Sequence, residues 1–297
     1  VAGSLIGVAG AAFVVRAFLR DRETVTDALA HARPALLLVA FVLGGLGMLS
    51  IALAWYTAIR VLGGSLRLLP TLRGYFVGQL GKYLPGGVWA IMGRGEWARS
   101  GGVAGAIAYS SVFLSIGSVY LAAVLLAATL VPVTGMFGAG GDARYGFVLL
   151  LLPLGFALLH PRVVNAALRA LRRATGRDLS VPVPRWGVSS AVVLQQLPSW
   201  MLIGLATYLV AVAFGEAGAV LNVVAATAIS WVVGFVVLPV PGGIGVRESA
   251  FVALATSLSP GIAATVAVVA RLVFIAVDAT GAAVTTMLSR RNRETAR

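Results

Sequence analysis

Leu238-Pro239-Val240-Pro241-Gly242-Gly243-Ile244-Gly245-Val246-Arg247-Glu248 interrupts sequence that is otherwise apolar enough to lie in a membrane. Its two prolines and three glycines forbid a regular helix. Backbone groups freed at membrane depth must be satisfied by protein or by a water-filled cavity. An arginine and a glutamate follow the break directly, and broken backbone beside charge marks a substrate site by default. The same elements recur upstream, as Leu84-Pro85-Gly86-Gly87-Val88 followed by Arg94 and Glu96. The two breaks lie 156 residues apart in a chain of 297. Breaks at matching positions of two halves point to a transporter built as an inverted repeat, with halves of about 1–135 and 136–297.

Working outward, the whole chain is 59% hydrophobic and 11% charged, with a mean hydropathy of +0.96. A soluble chain carries about twice that charge, so this is an integral membrane protein with a single transmembrane domain over 1–297. The net charge of +13 comes from 22 arginines and one lysine, Lys82. Such an excess sits in cytoplasmic loops and sets orientation rather than implying nucleic acid. There is no cysteine and only two histidines, His31 and His160, each at a segment end. Thiol chemistry is excluded, and neither a metal site nor a cofactor is expected.

Taken in order, residues 1–19 read as a retained apolar helix rather than a signal peptide, and 20–33 as a polar loop. Spans are expected at 35–62, 104–131, 145–159, 187–214, 220–238 and 261–288. Residues 67–99 alternate apolar, glycine and charged positions and read as a re-entrant hairpin or broken helix with its turn near Pro85-Gly86-Gly87. Residues 239–258 read as a broken crossing, which gives about eight transmembrane helices in an all-α polytopic protein. If both broken segments re-enter, seven crossings remain and one terminus moves outside. The loop 162–185 holds six arginines and begins with an interfacial amphipathic helix at 162–177, while the tail holds four arginines. Both regions are expected in the cytoplasm and the turn at Glu216 outside.

The candidate site gathers around the breaks. Arg271 and Asp278 are seven residues apart in the last span, hence on one helix face. The expected network pairs Arg247 with Asp278 and Arg271 with Glu248. Glu248 is the preferred proton carrier of the two acids, since phosphate would repel it at a helix N-terminus. Gln79, Lys82 and Tyr83 precede the first break, and Lys82 suits a point-charge contact to phosphate. Gln195, Gln196 and Pro198 interrupt the 187–214 span and either line the cavity or bond across helices. Trp89, Trp97, Trp186 and Trp200 read as interface anchors. No hydrolase, zincin or P-loop motif is present.

Gln79-Leu-Gly-Lys82-Tyr-Leu-Pro85-Gly and Val240-Pro-Gly-Gly-Ile-Gly-Val-Arg247-Glu248 resemble the two signature regions of the lysylphosphatidylglycerol synthase transmembrane family. The resemblance covers essentially the whole chain. That family includes the flippase part of the multiple peptide resistance factor. The resemblance implies movement of a lipid with a phosphate-bearing headgroup between leaflets, without the aminoacyl-transferase chemistry of two-part members. The substrate it implies is a polyprenyl-phosphate-linked sugar or a modified phospholipid, in a bacterial cytoplasmic membrane, beside envelope-glycan enzymes. The reading is therefore a lipid flippase and not an enzyme. Its expected substrate-binding residues are Gln79, Lys82, Tyr83, Pro85, Gly86, Gly87, Arg94, Glu96, Pro241, Gly242, Gly243, Gly245, Arg247, Glu248, Arg271 and Asp278. The competing readings are a membrane glycosyltransferase that uses a lipid-linked sugar, and a scaffold without transport.

Overall fold

The computed structural model describes Thr26 and residues 30–83, 88–136, 149–175, 182–236 and 243–294. Regular structure among them is all helical. The order is α1 (Pro34–Val61), α2 (Leu68–Leu80), a 3-10 turn (Gly81–Tyr83), α3 (Trp89–Ser100), α4 (Gly105–Thr134), α5 (Leu151–Leu158), α6 (Pro161–Thr175), α7 (Trp186–Leu194), α8 (Leu197–Ala213), α9 (Val220–Val236), α10 (Val246–Leu254) and α11 (Pro260–Glu294). Among the described residues, four helical stretches are long and apolar enough to cross a membrane: α1, α4, Trp186–Ala213 and most of α11. The third is α7 and α8 joined through an irregular turn at Gln195-Gln196, with Pro198 in the first turn of α8, where a missing N–H costs nothing. A fifth candidate is α5 with the start of α6, bent by 67°. The chain is a polytopic membrane protein.

Neighbouring helices fix the directions of the long elements. The Arg33 N–H at the start of α1 donates to the Ala213 carbonyl at the end of α8 over 3.0 Å. Gly47 of α1 lies against Ile203 and the Ser199 carbonyl of α8. The two helices are therefore antiparallel, and small residues let them approach closely, as expected in lipid.

Short antiparallel hairpins follow each of them. Gly74 of α2 faces the Trp97 indole of α3, Gly78 faces Arg94, and Gly81 faces Ala90. The Trp97 indole N–H closes the open end by donating to the Pro70 carbonyl over 2.9 Å. The arms have 13 and 12 residues, about 20 Å at 1.5 Å per residue, which falls short of a roughly 30 Å hydrocarbon core. The chain thus enters and leaves this segment at one end of the bundle, as the re-entrant reading of 67–99 required. Between α9 and α10 the pattern repeats. Gly234 faces Arg247, and the Asn222 amide donates to the Leu254 carbonyl and to Thr256 Oγ1 and accepts from the Ser257 N–H. Because α1 and α8 are antiparallel, the α2–α3 and α9–α10 hairpins enter from opposite ends.

This arrangement changes the crossing count. Residues 220–238 and 239–258 were each expected to cross, but their described parts are two arms of one hairpin. The final helix α11 then starts where α8 ended. Glu216 ties that junction together by accepting from the Ser259 N–H (2.8 Å) and hydroxyl (2.9 Å) just before α11 begins. The expected helix at 1–19 and most of the 20–33 loop lie outside the described residues.

Both hairpins pack on the long helix of the other half. Phe76 of α2 seats against Gly281 of α11, and Phe235 of α9 stacks on Tyr120 of α4 with ring centroids 4.0 Å apart. α6 is strongly amphipathic and its arginines are exposed. It lies at the end of the bundle that also holds Arg60, Arg67, Arg99 and the end of α11, because the Trp186 indole donates to the Phe156 carbonyl there. The expected interfacial helix at 162–177 is thus a helix at Pro161–Thr175.

Candidate functional site

The described arms of the two hairpins line a cavity of about 250 Å³ between α1, α4, α8 and α11. Lys82, Arg94, Arg247 and Arg271 line it, and no carboxylate does so among the described residues. Two ion pairs stand behind the cavity wall. Lys82 Nζ lies 2.5 Å from Asp278 Oδ2, whose side chain is 0% exposed. Arg271 Nη1 lies 2.5 Å from Glu248 Oε1, whose side chain is 7% exposed. Asp278 and Arg271 both stand on α11, so this helix supplies one ion-pair partner to each hairpin.

Glu248 also forms the cap of α10. Its Oε2 accepts the Gly245 N–H over 2.7 Å, so both of its oxygens are engaged. Gly245 has φ +80° and Gly243 φ +66°, conformations that glycine adopts without a Cβ penalty. A Cβ on Gly243 would meet the Gly234 backbone at 3.0 Å. This tip is therefore shaped by packing and backbone conformation.

Arg94 stands apart. It is 4% exposed, and its Nε donates to the Ala90 carbonyl. Its guanidinium lies 5.5 Å from the Tyr75 ring centroid and 5.9 Å from that of Trp55. No carboxylate among the described residues pairs with it. Arg247 rests on an aromatic face too, 4.0 Å from the Trp231 ring centroid and 5.8 Å from that of Phe274. Trp231 meets Trp200 and Phe274 edge-on, at 5.7 and 5.5 Å. The wall so built is aromatic, with cations on its surface. Buried donors add to it: Trp231 Nε1 and Ser115 Oγ meet no acceptor among the described residues. A buried donor left without an acceptor is costly, so such groups point to an oxygen-rich ligand. Cations, indole N–H and hydroxyl together suit a phosphate or phosphodiester.

The chain matches the family described as the lysylphosphatidylglycerol synthase transmembrane region over residues 1–280. It belongs to that family. No curated protein matches it.

In this member of the lysylphosphatidylglycerol synthase transmembrane family, the structure brings Gln79, Lys82, Arg94, Gly243, Arg247 and Arg271 to one cavity. Glu248 and Asp278 stand behind it as ion-pair partners. The expected Arg271–Glu248 pair is formed, while Asp278 answers Lys82 where sequence reasoning had assigned it to Arg247. Gln79 donates to the Tyr75 hydroxyl, which places its amide at the cavity wall. Glu96 is elsewhere: its exposed carboxylate pairs with Arg99 at 2.7 and 2.9 Å. Pro85, Gly86, Gly87, Pro241 and Gly242 lie outside the described residues, as does the side chain of Tyr83.

Trp200, expected at the interface, is buried and donates to the Val119 carbonyl over 2.7 Å. Tyr75, Ser115, Tyr120, Trp231 and Phe274 were not singled out from the sequence. Trp231 carried a usable signal, since an indole well inside an apolar stretch is away from the interface that tryptophan favours.

Proposed function

We propose that this protein moves a phosphate-bearing lipid between the leaflets of a bacterial cytoplasmic membrane. Arg94 carries the reading. A charge buried without a carboxylate is expensive, and a lipid phosphate arriving in the cavity is the natural counter-ion. The Tyr75 and Trp55 rings hold the guanidinium in place through cation–π contact. Lys82 and Arg271 stand in ion pairs, so the capacity to take an anion rests first with Arg94, and Arg247 brings a second guanidinium to the same cavity from the opposite hairpin. The aromatic wall suits the ring face of a glycosyl headgroup, and the polyprenyl-phosphate-linked sugar is the preferred substrate over a modified phospholipid. The two hairpins, entering from opposite ends, form the inverted repeat suggested by the paired breaks, in which alternating access rocks one half against the other.

The test is reconstitution into liposomes with a labelled polyprenyl-phosphate sugar and a labelled phosphatidylglycerol in parallel. The wild-type protein should equilibrate at least one of them across the bilayer without changing its mass. Protein that moves neither overturns the reading, and a change in lipid mass makes the chain a transferase instead.

Orientation follows from charge. The bundle end that carries α6 and the arginines of α11 faces the cytoplasm, and Glu216 faces outward. Because the chain has no cysteine, single thiols report cleanly. Asn165→Cys on α6 should resist an impermeant maleimide added outside intact cells, and Ala217→Cys should react. The reverse pattern would invert the protein.

A further inference from the structure

The two arginines of the cavity sit in matching cradles, and the match extends to the residues around them. Tyr75 and Gly78 on α2 correspond to Trp231 and Gly234 on α9 at one offset, 156 residues, which also relates Pro85 to Pro241. In each hairpin the returning arm lays an arginine across this aromatic-x-x-glycine step. A Cβ on Gly78 would fall 2.7 Å from Arg94 Cγ, and one on Gly234 would fall 3.0 Å from Arg247 Cβ. The absent side chains let the arginine stems lie flat against the first arm. The guanidiniums then come to rest on Tyr75 in one case and Trp231 in the other. The side chain of Tyr120 on α4 lies within electrostatic reach of both.

We propose that Arg94 and Arg247 are two successive stations for one lipid phosphate, one station on each hairpin, and that transport is the transfer between them. This rests on the reading of the protein as a carrier of phosphate-bearing lipid. Several observations favour two stations over one joint grip. Each arginine has its own aromatic seat, each is carried by a different hairpin, and the hairpins enter from opposite ends. The Lys82–Asp278 and Arg271–Glu248 ion pairs fix each hairpin to one shared helix, α11, and so set where the stations stand. Tyr120, which lines the same cavity, supplies a hydroxyl that a phosphate oxygen can use during transfer.

The test compares wild type, Arg94→Gln, Arg247→Gln and the double variant. Binding of dioctanoyl phosphatidic acid is read by calorimetry in detergent, and transport of the labelled lipids is read in liposomes. Glutamine removes a buried charge without adding one, so the variants should fold, and thermal unfolding checks this. Successive stations predict that each single variant binds within about threefold of wild type, through the station that remains. Each should nonetheless lose transport about 30-fold or more, and the double variant should lose binding. Gly78→Ala and Gly234→Ala, which push the stems aside but keep the charges, should reproduce the transport loss more mildly.

A single variant that loses binding and transport together shows a joint grip and overturns the two-station proposal. So does a single variant that transports normally, or a double variant that still binds as wild type does. Failure of the underlying reading looks different, because the wild-type protein itself would then move neither labelled lipid.

Discussion

Glu248→Ala should remove about 3–5 kcal/mol of stability, the range found when one partner of a buried ion pair is deleted. Thermal unfolding in detergent should show little folded protein at temperatures where wild type is intact. Two losses combine at this residue. The Gly245 N–H loses its cap, worth about 0.5–2 kcal/mol, and Arg271 loses the carboxylate beside it. Glu248→Ala with Arg271→Met should recover the second part and leave only the first. If the double variant is no more stable than the single one, the ion pair contributes little and the cap carries the effect. Glu248→Gln keeps an acceptor for Gly245 and should fall between. These expectations replace a role for Glu248 as proton carrier, since a carboxylate holding both a helix cap and an arginine is committed to the fold.

Lys82→Met should also destabilise, by about 3 kcal/mol, because it strips the cation from an Asp278 side chain that is 0% exposed. The ammonium stands in the cavity wall, hydrogen-bonded to α11. Lys82→Met with Asp278→Asn should restore the unfolding temperature to near wild type, and transport by the restored protein then isolates what the pair does. Full transport would make the pair a structural tie. Folded protein that does not transport would mean that the position of the first hairpin against α11 matters to lipid passage, as the two-station scheme requires.

How much of this was legible in advance varies by kind of interaction. The paired Pro-Gly-Gly breaks located both hairpins because proline and glycine act locally, through backbone geometry alone. The alternation of glycine and charge in 67–99 showed that the first hairpin could not face lipid on all sides. The arms of the second are as apolar as a span, and 220–238 was accordingly counted as one. Only its antiparallel packing against α10, through Asn222 and Gly234, distinguishes an arm from a crossing. The Arg271–Glu248 pair was legible because buried opposite charges in one short region have few partners to choose from. Lys82 and Asp278 are brought together by α2 packing on α11, which no local pattern records. The aromatic seats were hidden for a related reason: tryptophan reads as an interface anchor until its neighbours are known, and Trp200 donates to a carbonyl on α4 deep in the bundle.

The Lys82–Asp278 contact spans 196 residues of chain, and this has a consequence for how the protein is made. At roughly 5–20 residues per second, synthesis leaves Lys82 waiting about 10–40 s before its aspartate has been polymerised. Throughout that interval the first hairpin, too short to span, lacks the carboxylate that ties its lysine to α11. A nascent chain arrested before the last helix should accordingly keep its first hairpin accessible to protease or to insertion-quality control, and release of the final 35-residue helix becomes the event that commits the whole bundle at once.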